Sequence, residues 1–205
     1  MIPEPPRVFL VDDDPFQLLF LGGILRTSGH AVETFEQPEA LLARLSASDR
    51  GCVVLDLEMP VLSGLELQRA LVERGALLPL IFVSGRADVP AAVAAMKRGA
   101  LDFLSKPVDP GEFCAVVARA LRGDAEGAAG RAARARAQAR WAALSAHERD
   151  VCRLSASGLL NKQIAAELGI AESTLQAQRV RALQKLQVST VAELGRLIAQ
   201  VGVED

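Results

Sequence analysis

Apolar and polar positions alternate along residues 7–122 in two interleaved rhythms. Short apolar runs at Arg7–Val11, Ala31–Thr34, Cys52–Leu55, Leu80–Val83 and Asp102–Leu104 read as strands. Between and after them lie amphipathic stretches at 15–28, 37–47, 64–74, 88–98 and 110–122, which read as helices. Pro15, Pro38 and Pro110 each fall at a helix start, where a missing amide donor costs little. Strict alternation of five strands with five helices predicts a doubly wound, five-stranded parallel sheet. Such a sheet holds its ligand beyond the carboxyl ends of the strands.

The pattern changes after residue 122. Gly123, Gly127 and Gly130 open a stretch rich in Ala and Arg that runs to Trp141. It is either a flexible linker or a solvated connecting helix; the helix-forming residues favour helix from about 129. Trp141 is expected to pack this stretch onto a domain surface. From Leu144 onward β signals vanish and four helices fit, at 145–156, 161–168, 172–186 and 190–200. The chain thus divides into 6–122, a linker at 123–143, and 144–205: an α/β domain followed by an all-α one.

Charge sharpens the division. Residues 1–118 carry 10 basic against 16 acidic side chains, residues 119–140 carry 6 against 2, and residues 141–205 carry 7 of each. An acidic front and a basic middle suggest different partners for the two halves. No apolar run approaches the roughly 18 residues of a membrane span, and residues 1–9 lack a signal-peptide order, so a cytoplasmic protein is expected. Cys52, Cys114 and Cys152 are too far apart and too few for a disulfide frame or a zinc site, and read as buried, reduced thiols.

Candidate chemistry gathers at strand ends. Asp12, Asp13 and Asp14 follow the first apolar run, and Asp56 follows the third. The doubly wound order makes those two strands neighbours, which brings the carboxylates together. Crowded carboxylates repel, and a hard divalent cation, magnesium (Mg2+), relieves the repulsion while keeping positions open for phosphate oxygens. Ser84 ends the fourth strand and Lys106 the fifth, adding a hydroxyl and an ammonium. Together they make a site for a phosphoryl group, with Asp56 as nucleophile forming an acyl phosphate. The position of Lys106 before Pro107 restricts its backbone.

The strings VFLVDDDP (8–15), VVLDLEMPVLSG (53–64), VSGRAD (83–88) and GALDFLSKP (99–107) resemble the receiver domain of response regulators. The resemblance implies Asp56 as phosphoacceptor, Asp12 and Asp13 as acid pocket, and Asp13, Asp56 and the Glu58 backbone carbonyl as magnesium ligands. It also implies Ser84 as switch hydroxyl, Phe103 as switch aromatic and Lys106 as phosphate partner. No role falls to Asp14. A haloacid-dehalogenase-like enzyme, the rival use of a strand-end Asp with magnesium, would want a second Asp where Glu58 stands.

The stretch 161–187 offers a short helix, Gly169 as a break, and a polar second helix. Leu175, Val180, Leu183 and Leu186 are expected to pack inward, leaving Gln176, Gln178, Arg179 and Lys185 outside. That arrangement suits reading DNA through the major groove. The sequence from Leu144 to Leu186 resembles the DNA-binding domain of the NarL/FixJ and LuxR group. By that resemblance Lys162, Thr174, Gln176, Gln178, Arg179, Arg181 and Lys185 are the candidate DNA contacts. Where the family commonly has Thr-Val-Lys-x-His, this chain has Thr174-Leu175-Gln176-Ala177-Gln178. With no net charge over 141–205, phosphate attraction is weak and output through protein contacts stays an alternative. His147 and Glu148 form no HExxH motif and read as ordinary.

The two resemblances together imply a two-component response regulator. A sensor histidine kinase would phosphorylate it, the phosphorylated protein would form a homodimer, and the dimer would bind promoter DNA, with RNA polymerase a candidate further partner. No enzymatic activity of its own and no membrane partner are expected.

Overall fold

The computed structural model describes residues 5–46, 48–85 and 89–202. The chain divides into two compact units, Met1–Ala128 and Ala129–Asp205. Strands β1 (Arg7–Val11), β2 (Ala31–Phe35), β3 (Gly51–Asp56), β4 (Leu80–Ser84) and β5 (Asp102–Ser105) lie in the first unit. They alternate with helices α1 (Pro15–Thr27), α2 (Pro38–Arg44), α3 (Gly64–Glu73), α4 (Val89–Lys97) and the beginning of α5 (Pro110–Ala142). The sheet is wholly parallel in the order β2-β1-β3-β4-β5. The winding reverses between β1 and β3, so their carboxyl ends open a crevice.

The period-2 alternation of the strands builds two apolar layers. Val8, Leu10, Cys52, Val54, Ile81 and Val83 pack against α1 and α5 through Leu21, Leu25, Phe113 and Val117. Phe9, Val11, Val53, Leu55 and Phe82 point the other way, onto Leu41, Leu67, Leu71 and Ala95 of α2, α3 and α4. Strands covered on both faces need apolar residues at successive positions, which is why β1, β3 and β4 read as continuous apolar runs.

Local chemistry sets the helix starts around the crevice. Pro15 follows Asp14, whose carboxylate accepts the Phe16 N–H at 2.9 Å and caps α1. Ser63 and Glu66 form a capping box at the start of α3. Gly64 lets that start close on β3: a Cβ there would lie 2.3 Å from the Asp56 carbonyl oxygen. Helix α2 ends at Arg44, sooner than the expected 37–47, because the Ser46 N–H turns to the Asp49 carboxylate at 2.6 Å. The expected helix end at 47, the start at 88 and the segment 86–88 of VSGRAD lie outside the described residues, as do 203–205.

Helix α5 is unbroken from Pro110 to Ala142, so the glycine-opened stretch is helical throughout, including 123–128. Glycine costs about 1 kcal/mol relative to alanine within a helix. A tertiary tie offsets that locally: the buried Asp124 carboxylate accepts from Arg50 Nε at 2.8 Å and from the Gly51 N–H at 3.0 Å.

In the second unit the end of α5 is followed by α6 (Ala146–Ala156), α7 (Asn161–Leu168), α8 (Glu172–Leu186) and α9 (Val191–Val201). Trp141 is buried with Ala137, Leu144, Cys152, Ala182, Leu186, Leu194 and Leu197. Val151, Ile164, Ala165 and Leu175 form a second, smaller core. Val180 departs from expectation and is 52% exposed, while Ala182 is buried. At 100° per residue, position 182 returns to the face of Leu175 and position 180 points away from it. No helix among the described residues is long and apolar enough to cross a membrane.

Candidate functional site

The parallel register assembles the first site. Val11 is level with Leu55, Asp56 with Val83, and Ser84 with Ser105. The residues that end these strands or follow them therefore meet at one rim. Asp12 and Asp56 are 2% and 6% exposed, and Ser84 is buried beside them in sequence register. The Lys106 ammonium donates to Asp12 Oδ2 at 2.7 Å and to Asp56 Oδ1 at 2.9 Å. The Lys106 N–H donates to the Ser84 carbonyl at 2.7 Å, and the Lys106–Pro107 peptide is cis. The second oxygen of each carboxylate is also held: Asp12 Oδ1 accepts the Asp14 N–H at 3.0 Å, and Asp56 Oδ2 accepts the Glu58 N–H at 2.7 Å.

Electrostatics follow from this burial. Loss of water raises the Asp12 carboxyl above its ordinary value, with the Lys106 and Asp14 hydrogen bonds pulling partly back. Burial alone would lower Lys106; the hydrogen bonds and charges of Asp12 and Asp56 outweigh it and hold the ammonium above its ordinary value. Lys106 stays charged. Asp13 is exposed beside the rim, and the Glu58 side chain is exposed as well. Among the described residues no three acidic, histidine or cysteine side chains gather closely enough to hold a metal by themselves. The expected donor set is two carboxylates and one backbone carbonyl. Phe103 is half-buried, its ring stacked on Phe82 with centroids 6.2 Å apart. Asp14, which carried no assignment, caps α1; its place between a strand and a Pro-started helix is the signal for that.

The second candidate site is in the other unit. Helix α7 ends at Gly169 in the left-handed conformation, φ 65° and ψ 30°, and α8 follows three residues on. Lys162, Thr174, Gln176, Arg181 and Lys185 are exposed, as expected, while Gln178 and Arg179 are half-buried. Arg179 Nη1 donates to Asn161 Oδ1 at 2.8 Å, and Gln178 Oε1 lies 2.8 Å from His147 Nε2. Lys185 Nζ is 2.6 Å from Glu148 Oε1. His147 and Glu148, ordinary by sequence, thus hold two side chains of α8. Those partners lie 31 and 37 residues away along the chain, beyond any local pattern.

Residues 8–118 match the response regulator receiver domain, and residues 142–198 match the bacterial regulatory proteins of the luxR family. Over 202 residues the chain is 40% identical to the transcriptional regulatory protein FixJ of Azorhizobium caulinodans, covering 98% of this chain and 96% of that protein. It is 35% identical to the response regulator protein TodT of Pseudomonas putida, over 93% of this chain and 84% of TodT. Among solved structures, the response regulator StyR matches with a TM-score of 0.87 at 37% identity, over 96% of this chain and all of that one. Full-length FixJ from B. japonicum matches at 0.59 and 34% identity, over 98% of each chain. The chain belongs to the response regulators of transcription that join a receiver domain to a LuxR-type helix-turn-helix domain.

Proposed function

We propose that Asp56 accepts a phosphoryl group from a histidine of a sensor kinase, and that this promotes dimerisation and binding of promoter DNA. The observation that carries the reading is the Lys106 ammonium bridging Asp12 and Asp56 at the rim of the sheet. A carboxylate oxygen of Asp56 attacks phosphorus, the P–N bond to the kinase histidine breaks, and an acyl phosphate forms. Lys106 then faces the added negative charge, as its short reach to Asp56 supports.

Magnesium suits the donor set. Asp12, Asp13 and Asp56 against Lys106 leave two negative formal charges among hard oxygen donors, which matches a divalent cation. Asp13, Asp56 and the Glu58 carbonyl would hold it, with Asp12 completing the acid pocket; bound there, it would supply charge neutralisation for phosphoryl oxygens.

Ser84 and Phe103 form the switch in this reading. The buried Ser84 hydroxyl turns toward phosphate on Asp56, and the Phe103 ring, half-buried against Phe82, moves inward. The α4–β5 surface changes with it. A bias of about a few kcal/mol exchanges the two states. Domain limits of 6–122 and 144–205 with a connecting helix at 123–143, a cytoplasmic location and contact with RNA polymerase complete the proposal. In the second domain, Lys162 contacts phosphate, Thr174, Gln176, Arg181 and Lys185 lie along the DNA surface, and Gln178 and Arg179 flank it, held to His147 and Asn161.

The test is labelling with an acyl-phosphate donor, with and without magnesium. Incorporation that requires magnesium and vanishes in Asp56→Asn is expected. Undiminished labelling of that variant removes the assignment. Selection from random DNA with the phosphorylated protein is expected to enrich a repeated half-site about one helical turn apart.

A further inference from the structure

Helix α8 carries an apolar side chain that the fold does not use. Val180 is 52% exposed and belongs to neither core of its unit. A β-branched residue on a solvated helix face lowers helix propensity relative to alanine and gains no packing in return. Its neighbours define a line: Ser173, Ala177, Val180 and Gln184 are spaced four, three and four apart, all exposed, opposite the buried Leu175, Ala182 and Leu186. Two of the polar candidates are turned away from this line, Arg179 toward Asn161 and Gln178 toward His147. The middle of the outward face is therefore apolar, with the small Ala177 leaving room for a surface to approach closely.

The major-groove edges of base pairs carry an apolar feature in the thymine 5-methyl group. We infer that Val180, with Ala177 beside it, reads a thymine 5-methyl in the major groove and makes this chain's base preference partly methyl-dependent. The inference rests on the DNA-reading role proposed above. It places specificity on an apolar residue that lies outside both cores of its unit.

Replacing thymine by uracil removes that methyl and leaves the hydrogen-bonding edge intact. The full-length chain, treated with acetyl phosphate and magnesium, first selects its preferred duplex from random DNA. Uracil is then placed at one thymine at a time. Loss of one buried methyl contact corresponds to about a fourfold drop in affinity. Wild type is expected to show that drop at one thymine per half-site. Val180→Ala, an exposed change that the helix tolerates, is expected to bind the parent duplex about fourfold more weakly per half-site and to ignore uracil there. Gln176→Ala should keep the uracil sensitivity. Equal binding of thymine and uracil duplexes by wild type overturns the inference and leaves DNA reading standing. Absence of any enriched sequence removes both. If Val180→Ala instead alters sedimentation of the DNA-free protein and keeps wild-type uracil sensitivity, Val180 serves a protein contact and the inference falls.

Discussion

Arg50 holds the buried carboxylate of Asp124 at 2.8 Å, tying the residue before β3 to the middle of helix α5. The same carboxylate oxygen accepts the Gly51 N–H, and Arg50 Nη2 donates to the Asp124 carbonyl at 3.0 Å. Arg50→Ala takes the guanidinium from a buried carboxylate that keeps the Gly51 N–H, for which a loss of about 3 kcal/mol is expected. Asp124→Asn keeps a neutral acceptor and should cost about 1–2 kcal/mol. Urea denaturation read by hydrogen exchange at the β1 and β3 amides compares them. Arg50→Ala no weaker than Asp124→Asn would show that the pair is incidental.

Lys106 neutralises two carboxylates at once, so its loss should create a demand for another cation. In Lys106→Ala, Asp12 and Asp56 face each other without an ammonium, and Asp12, already raised by burial, rises further. The variant is expected to melt lower than wild type without magnesium. Magnesium should raise its melting temperature by more than it raises that of wild type, by several degrees at saturating metal. An equal shift in both proteins would mean that the metal does not replace the ammonium.

Much of this was legible because the strands are covered on both faces. The runs ending at Val11, Leu55 and Val83 are apolar for that reason, and the polar residue after each marks the rim. The parallel order then follows from alternation with helices, and the meeting of Asp12, Asp56 and Lys106 follows from the order. Partners distant in sequence were not legible: Arg50 and Asp124 are 74 residues apart, and only the folded sheet brings α5 across the start of β3. The glycines at 123 and 127 therefore pointed to a break that the tertiary tie removes. Val180 stands three residues before Leu183, a spacing that reads as inward, but five after the buried Leu175. On a helix of 3.6 residues per turn it points out.

The cysteines divide rather than behave alike. Burial pushes the Cys52 thiol up to about 12 and Cys152 up to about 11, with smaller contributions from Asp124 and Glu148 respectively. At pH 8 their thiolate fractions are about one in a thousand or less. Cys114 is half-exposed, against the expectation of burial, with its Sγ 3.3 Å from Ser28 Oγ. Alkylation of the native protein followed by mass spectrometry should label Cys114 first and the others only after unfolding. Equal labelling rates for Cys52 and Cys114 would contradict the packing of β3.

An ion pair within the second unit is expected to restrain its DNA affinity. Lys185 Nζ lies 2.6 Å from Glu148 Oε1, and the Lys185 hydrogen bond, followed by the Ser145 N–H, holds the Glu148 carboxyl below its ordinary value. A lowered carboxylate contributes stability that is present above its unfolded value and lost as pH falls through the folded one. At neutral pH the pair is therefore intact and Lys185 is spoken for. Glu148→Gln removes the charge but keeps a side-chain oxygen for the capping box with Ser145, so α6 should still start at Ala146. Each cation that neutralises a DNA phosphate steepens the plot of log affinity against log salt by about 0.9. Freeing Lys185 should steepen that slope by about this amount for each domain bound and tighten non-specific binding at low salt. Lys162→Ala, at the exposed start of α7, should make the slope shallower by a similar amount and weaken all sequences alike. Titrations at four or five salt concentrations separate the two. A Glu148→Gln slope equal to that of wild type, beside a reduced Lys162→Ala slope, would place Lys185 off the DNA surface and confine phosphate contact to the α7 side.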